Sequence, residues 1–168
     1  MGKVVLLLIA LSAVLAGAGI WYTQQRAYYS EAPVQEQIVL TTLAGDEASL
    51  AVTDFTAISS VSSPLGFRAC FTLVAPPVGY TEIYDRPADQ APTIAPSWFD
   101  CFDARQIGGD LEQRQAIALL GRKNIGYGVD RVFAFYPDGR GYAWHQLNNC
   151  GEKAYDGTVV GEDCPPRP

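Results

Sequence analysis

VDRVFAFYPDGRGYAWHQL, residues 129–147, is the stretch that decides the fold of this 168-residue chain. Val129 to Tyr136 and Gly141 to Leu147 are rich in β-branched and aromatic side chains, the types that pack best on a pleated surface. Between them, Pro137-Asp138-Gly139-Arg140 supplies the proline, aspartate and glycine of a tight turn. Two such runs across so short a connection predict an antiparallel hairpin. Phe133, Phe135, Tyr142 and Trp144 are expected to form a sheet face packed as core.

Working outward, Ala116 to Leu120 reads as a short strand. Asp103 to Gln113 reads as a helix with Asp103 as its N-cap and Ile107 and Leu111 one turn apart, weakened by Gly108-Gly109. Trp98-Phe99-Asp100-Cys101-Phe102 is a dense aromatic knot. Pro76 to Pro96 carries five of the eleven prolines and predicts a long exposed loop of the kind that often binds. Leu65 to Val74 is an apolar strand with Arg68 in its middle. Ser59 to Pro64 is a polar turn, and Val34 to Leu43 pairs with Leu50-Ala51-Val52 around Gly45-Asp46. The sum is α+β: a small antiparallel sheet with one or two helices.

At the other end, Val4 to Tyr22 contains no charged side chain. As a helix it reaches about 28 Å, enough to cross a hydrocarbon core of about 30 Å. Trp21 and Tyr22 have the amphipathic form of an interfacial belt. The expected division is a cytoplasmic start (1–3), a transmembrane signal anchor (4–22), a linker into which the helix can extend (23–33) and one periplasmic domain (34–168). A cleaved signal peptide, cut after Ala16 or Ala18, is the rival reading. Within the span, Ser12, Ala16 and Gly19 fall on one face with Ala13 and Gly17 beside it, a surface that lets a second helix approach closely.

Cys70, Cys101, Cys150 and Cys164 all follow the span, and an even set without a CxxC pair suits an oxidising compartment such as the periplasm. Three pairings are open, and loop closure favours Cys70–Cys101 with Cys150–Cys164. From residue 30 onward, ten Lys or Arg stand against eighteen Asp or Glu, a net charge of −8. That balance argues against nucleic acid and against an anionic membrane surface as partners of the domain face.

Several blocks carry a resemblance: the short anchor, Arg68-Ala69-Cys70-Phe71, Trp98-Phe99-Asp100-Cys101-Phe102-Asp103-Ala104, Gly126 to Val132 and Pro137 to Gln146. Over most of its length the chain resembles an uncharacterised bacterial family of small single-pass membrane-anchored proteins. The resemblance implies no activity and no catalytic residues.

The residues imply none either. His145 is the only histidine and so the only side chain with an ordinary pKa near neutrality. It shares a strand face with Ala143 and Leu147, where a partly buried histidine hydrogen-bonded to backbone is expected; it is kept as a weak functional candidate. No GxSxG accompanies it, and His145 with Cys150 makes no metal set. No cofactor and no metal is expected. The expected function is a non-catalytic accessory or assembly protein of a bacterial inner-membrane complex, joined to other subunits through the helix and the periplasmic domain. The alternative is a tethered periplasmic module that binds or hydrolyses a ligand.

Overall fold

The structure, a computed structural model, describes residues 2–166; Met1 of the expected cytoplasmic start and Arg167 and Pro168 of the expected periplasmic domain lie outside the described residues. Helix α1 (Gly2–Tyr22) runs into a π-helical turn (Thr23–Ala27). Then come β1 (Tyr29–Glu31), β2 (Gln37–Thr41), β3 (Glu47–Ser60), β4 (Ser63–Leu73), α2 (Tyr80–Ile83), α3 (Ala104–Glu112), β5 (Ile117–Leu120), β6 (Val129–Phe135) and β7 (Arg140–Leu147). The strands form one seven-stranded antiparallel sheet in the order β1-β3-β4-β7-β6-β5, with β2 also paired to β3. The architecture is α+β, an apolar N-terminal helix followed by a disulfide-bonded sheet domain, as the sequence predicts.

The expected β6–β7 hairpin forms, with a register running from Val129 opposite Leu147 to Phe135 opposite Gly141. Its turn is closed by Gly139 N–H donating to the Tyr136 carbonyl at 3.0 Å and by Tyr136 N–H donating to Arg140 at 2.9 Å. Gly139 adopts φ +92°, a left-handed conformation that side chains with a Cβ resist. The Asp138 carboxylate accepts from the Arg140 backbone at 3.1 Å and from its guanidinium at 2.7 Å.

The four aromatic residues of this hairpin do not share a face, contrary to the sequence reading. Directly opposed residues in an antiparallel pair point the same way, and Phe133 opposes Ala143 while Trp144 opposes Val132. Phe133 and Phe135 therefore enter one core with Phe71, Leu40 and Leu119. Tyr142 and Trp144 face the other side, where Ile107 and Leu111 of α3 cover them. The sheet is buried on both sides, so every residue of β6 from Val132 to Phe135 is in core.

The first core is enclosed because the sheet curls on itself. β3 carries a register shift between Thr53 and Thr56, with Asp54 at φ +53°. Such a bulge bends a strand and increases its twist. The first half of β3 and its partner β2 thereby fold over the aromatic face. The far edges are then joined through one residue: Asp85 N–H donates to the Thr41 carbonyl and the Asp85 carbonyl accepts from Leu120 N–H, both at 2.8 Å.

The helix α3 starts where its cap was expected. The Asp103 carboxylate accepts from Arg105 N–H at 2.9 Å and from Gln106 N–H at 3.1 Å, satisfying two otherwise unpaired amides of the first turn. Both disulfides take the sequential pairing, Cys70–Cys101 across 31 residues and Cys150–Cys164 across 14. The first ties the aromatic knot ahead of α3 to β4. The second closes a largely exposed C-terminal loop.

Two further segments take more structure than the sequence alone specifies. In residues 23–33 helical structure continues to Ala27, and Tyr29–Glu31 then joins the sheet opposite Ser60–Ile58. The Pro76–Pro96 segment is largely exposed, as expected, but is not without structure. It holds α2 and a buried Tyr84 that bridges to Thr42, and its second half lies on the sheet.

Candidate functional site at the helix–domain junction

Where α1 meets the domain, the chain is clamped. The indole N–H of Trp98 donates to the Gln25 main-chain carbonyl, and Gln25 Oε1 accepts from Ser97 N–H at 2.9 Å. The Arg26 guanidinium lies 5.0 Å from the Trp98 ring centre, and Tyr29 meets the same ring edge-on at 6.5 Å. The aromatic knot read from the sequence is thus the receptor for the end of the helix.

Beside this clamp the sheet breaks its own burial pattern. Arg68 on β4 is 3 % exposed, in a strand whose other inner positions are apolar. Its Nε donates to the Thr93 carbonyl at 2.7 Å, Nη1 to the carbonyls of Leu65 (2.7 Å) and Phe67, and Nη2 to that of Ile94 at 3.1 Å. Four N–H groups are satisfied, and every acceptor is a neutral carbonyl. Burial holds its pKa down at about 10. Among the described residues the ion pairs are Arg122–Glu47, Lys123–Glu162 and Arg140–Asp138, all on the surface, so the charge of Arg68 has no carboxylate partner.

Two strands away the same thing recurs. The Arg131 guanidinium lies 4.5 Å over the Phe67 ring, and its Nε donates to His145 Nε2 at 3.0 Å. Burial lowers its pKa as well, and no carboxylate pairs with it among the described residues. An arginine can only donate, so His145 Nε2 accepts and Nδ1 carries the proton, which it donates to the Pro64 carbonyl at 2.6 Å. The imidazole also stacks on Phe67 at 4.5 Å. Burial pulls its pKa down to about 4, against the Pro64 bond and with help from the charges of Arg131 and Arg68. With both ring nitrogens engaged and no proton to accept near neutrality, His145 is positioned as a buried polar tie and not as a general base.

A cleft of about 330 Å³ opens between the end of the helix and this end of the sheet, with Arg68 in its wall and Tyr28, Tyr29, Ser60, Ser62 and Ser63 around it. Gly66 forms part of the wall because a Cβ there would stand 2.2 Å from that of Ser60. A larger cleft, about 640 Å³ between residues 88–92 and α3, mixes Asp89 and Glu112 with Arg105 and holds no buried charge. The junction cleft is therefore the stronger candidate.

The sequence-derived candidates divide accordingly. The four cysteines form the two bridges. His145 lies next to the buried charges. Ser12, Ala13, Ala16, Gly17 and Gly19 are exposed on α1, where a Cβ on either glycine would meet nothing within 4 Å, and Ser12 Oγ already donates to the Ile9 carbonyl at 2.9 Å. Sequence reasoning passed over Arg68, although a lone arginine inside an apolar strand was the available signal. It also missed Gln146, whose buried amide accepts from the Trp144 indole at 2.9 Å and donates to the Asp89 carbonyl at 2.8 Å.

No group of three or more His, Cys, Asp or Glu among the described residues is placed to hold a metal ion. No curated protein and no solved structure matches the chain. Residues 38–165, from within β2 to just beyond Cys164, match the model of a family of unknown function (DUF6446), and the chain belongs to that family.

Proposed function

We propose that the chain is a non-catalytic accessory or assembly subunit anchored in a bacterial inner membrane, with its domain on the periplasmic face. The observation that carries this reading is the clamp at the junction. Gln25 and Arg26 are held by Ser97 and Trp98, and the chain enters β1 two residues after the helical turn ends. A module that captures ligands gains from a slack tether that widens its reach. A subunit of an assembly gains from a fixed pose, because less freedom is lost when its partner docks. The apolar helix, exposed on all sides, and the two disulfides support the anchor and the oxidising compartment respectively.

Native purification in mild detergent, with mass spectrometry of what travels with the chain, tests the reading. The expected result is a constant set of membrane-protein partners and an intact mass that retains the first 18 residues. A product cut after Ala16 or Ala18, recovered alone in the soluble fraction, overturns it.

A further inference from the structure

We propose that the junction cleft is a binding site for the phosphate of a membrane phospholipid headgroup, with Arg68 as the group that recognises it. A buried charge is normally paired, because removing it from water is costly. Arg68 is 3 % exposed; its hydrogen bonds all go to neutral carbonyls and its guanidinium lies 5.8 Å from the centre of the Phe102 ring, so no partner carries a countercharge, and no acidic residue is among those around the cleft. One of its five N–H groups has no acceptor among the described residues. An anion entering the cleft supplies the missing countercharge, and a phosphate oxygen suits the guanidinium fork.

The hydroxyls point to the same chemistry. Tyr28, Tyr29 and Ser63 offer neutral donors to the remaining phosphate oxygens, as does whichever hydroxyl of the Ser60–Ser62 pair is not donating to the other, without adding a competing negative charge. The volume of about 330 Å³ accommodates a glycerophosphate-sized group.

Position selects the lipid over a free anion. This step rests on the membrane reading above. The cleft is lined by Thr23 and Gln24, which follow directly on the last residues of the apolar helix, Trp21 and Tyr22. In a bilayer that places the cleft at headgroup depth, where phosphate is held at high local concentration. The net negative charge of the domain opposes dissolved and membrane-bound anions alike, so the advantage of the lipid is positional: the bilayer holds its phosphate at the depth of the cleft.

The full chain, purified in a neutral detergent, is titrated with a short-chain phosphatidylglycerol, with inorganic phosphate and with the matching diacylglycerol, and binding is read by native mass spectrometry. Saturable retention of one phosphatidylglycerol is expected, with no retention of diacylglycerol and binding of inorganic phosphate at least about tenfold weaker. Arg68→Gln should weaken lipid binding by about ten- to a hundredfold, the scale of a lost charge-assisted contact. Because Arg68→Gln also removes hydrogen bonds that hold residues 93–94 to β4, Ser62→Trp is measured beside it: Ser62 is exposed at the rim, and a bulky ring there fills the cleft while Arg68 stays in place. Equal retention of lipid by wild type and Ser62→Trp overturns the site, and so does inorganic phosphate binding as tightly as the lipid. Membrane extraction of the same variants, which reports only on the anchor, separates failure of this site from failure of the membrane reading.

Discussion

The two ends of the sheet are built from the same strands and obey different rules. At the hairpin end, Phe71 meets Phe133 and Phe135 edge-on at 5.9 and 6.0 Å, with Leu40 and Leu119 fully buried beside them and no charged side chain in the cluster. At the helix end, only a few residues along β4, β6 and β7, Arg68 is buried against Phe102 on one face of the sheet, while on the other face the half-buried Arg131 and the buried His145 stack on Phe67. Aromatic burial of the first kind drives folding, whereas buried charge of the second kind opposes it. Where a chain breaks its local rules inside an otherwise consistent fold, the site of the break is where function is expected. The contrast places the apolar packing that stabilises the fold at the distal end, and it leaves the end beside the apolar helix as the place where the proposed recognition is to be tested.

The largest effect should fall at the distal end. Phe135→Ala empties a fully buried ring site and should cost about 3–5 kcal/mol in urea unfolding. Arg68→Met removes a desolvated charge of similar length and leaves carbonyls without donors, so it should cost about 1–3 kcal/mol. Equal losses in the two variants would break the comparison, because Arg68 would then be a structural member of the core.

The disulfides sharpen it further. Replacing Cys70 and Cys101 with alanine opens a 31-residue loop that fixes the aromatic knot against β4, an effect of about 3.7 kcal/mol on the chain-entropy model. The 14-residue loop between Cys150 and Cys164 is worth about 3 kcal/mol by the same model, as an upper value, since its residues are mostly exposed and lose few contacts on opening. Loss of Cys70–Cys101 should also release Trp98 from the helix end, which protection of the Trp98 indole from exchange would report. Peptide mapping without reductant that found four free thiols would remove both bridges and the case for an oxidising compartment.

The pH profile probes the helix end directly. His145 titrates near 4 in the folded protein and near 6.5 unfolded. Between those values the unfolded chain binds the extra proton, so stability falls as pH drops through the window and is constant above it. The full difference corresponds to at most about 3 kcal/mol. His145→Gln keeps two polar contacts without the proton equilibrium, and its unfolding midpoint should lose most of the slope between pH 4 and 6.5. An unchanged slope would show that other groups carry the acid sensitivity.

How far each end was legible follows from the same contrast. The hairpin, the Asp103 cap, the sequential disulfides and the apolar helix are local features, written in spacing, turn residues and composition. The facing of Phe133 against Trp144 was misread because alternation along β6 and β7 is hidden when both faces are buried; only the pairing register resolves it. The Asp85 closure joins residues dozens of positions apart, and no short-range signal marks it or the bulge at Asp54. The site was least visible. Arg68 stood out as a charge in an apolar strand, but the carbonyls of Thr93 and Ile94 that hold it come from the proline-rich segment, whose path over the sheet is a tertiary fact.

The smallest effect belongs to α1 itself, and it asks whether the helix contributes recognition or only places the domain. Ala16→Leu with Gly17→Leu adds bulk where the helix has none and raises its apolar character. Insertion should therefore be kept or improved while close approach of a second helix is blocked. Since Ser12 Oγ is already satisfied within the helix, close packing of small residues is the main attraction this face offers, worth about 1–2 kcal/mol per contact at most. Co-purification at equal membrane levels should show partner recovery reduced severalfold, not abolished, because the clamped domain keeps its own contacts. Unchanged recovery of every partner would mean that α1 serves only as an anchor, and that the recognition surface lies entirely at the helix end of the sheet, around Arg68 and the segment it holds.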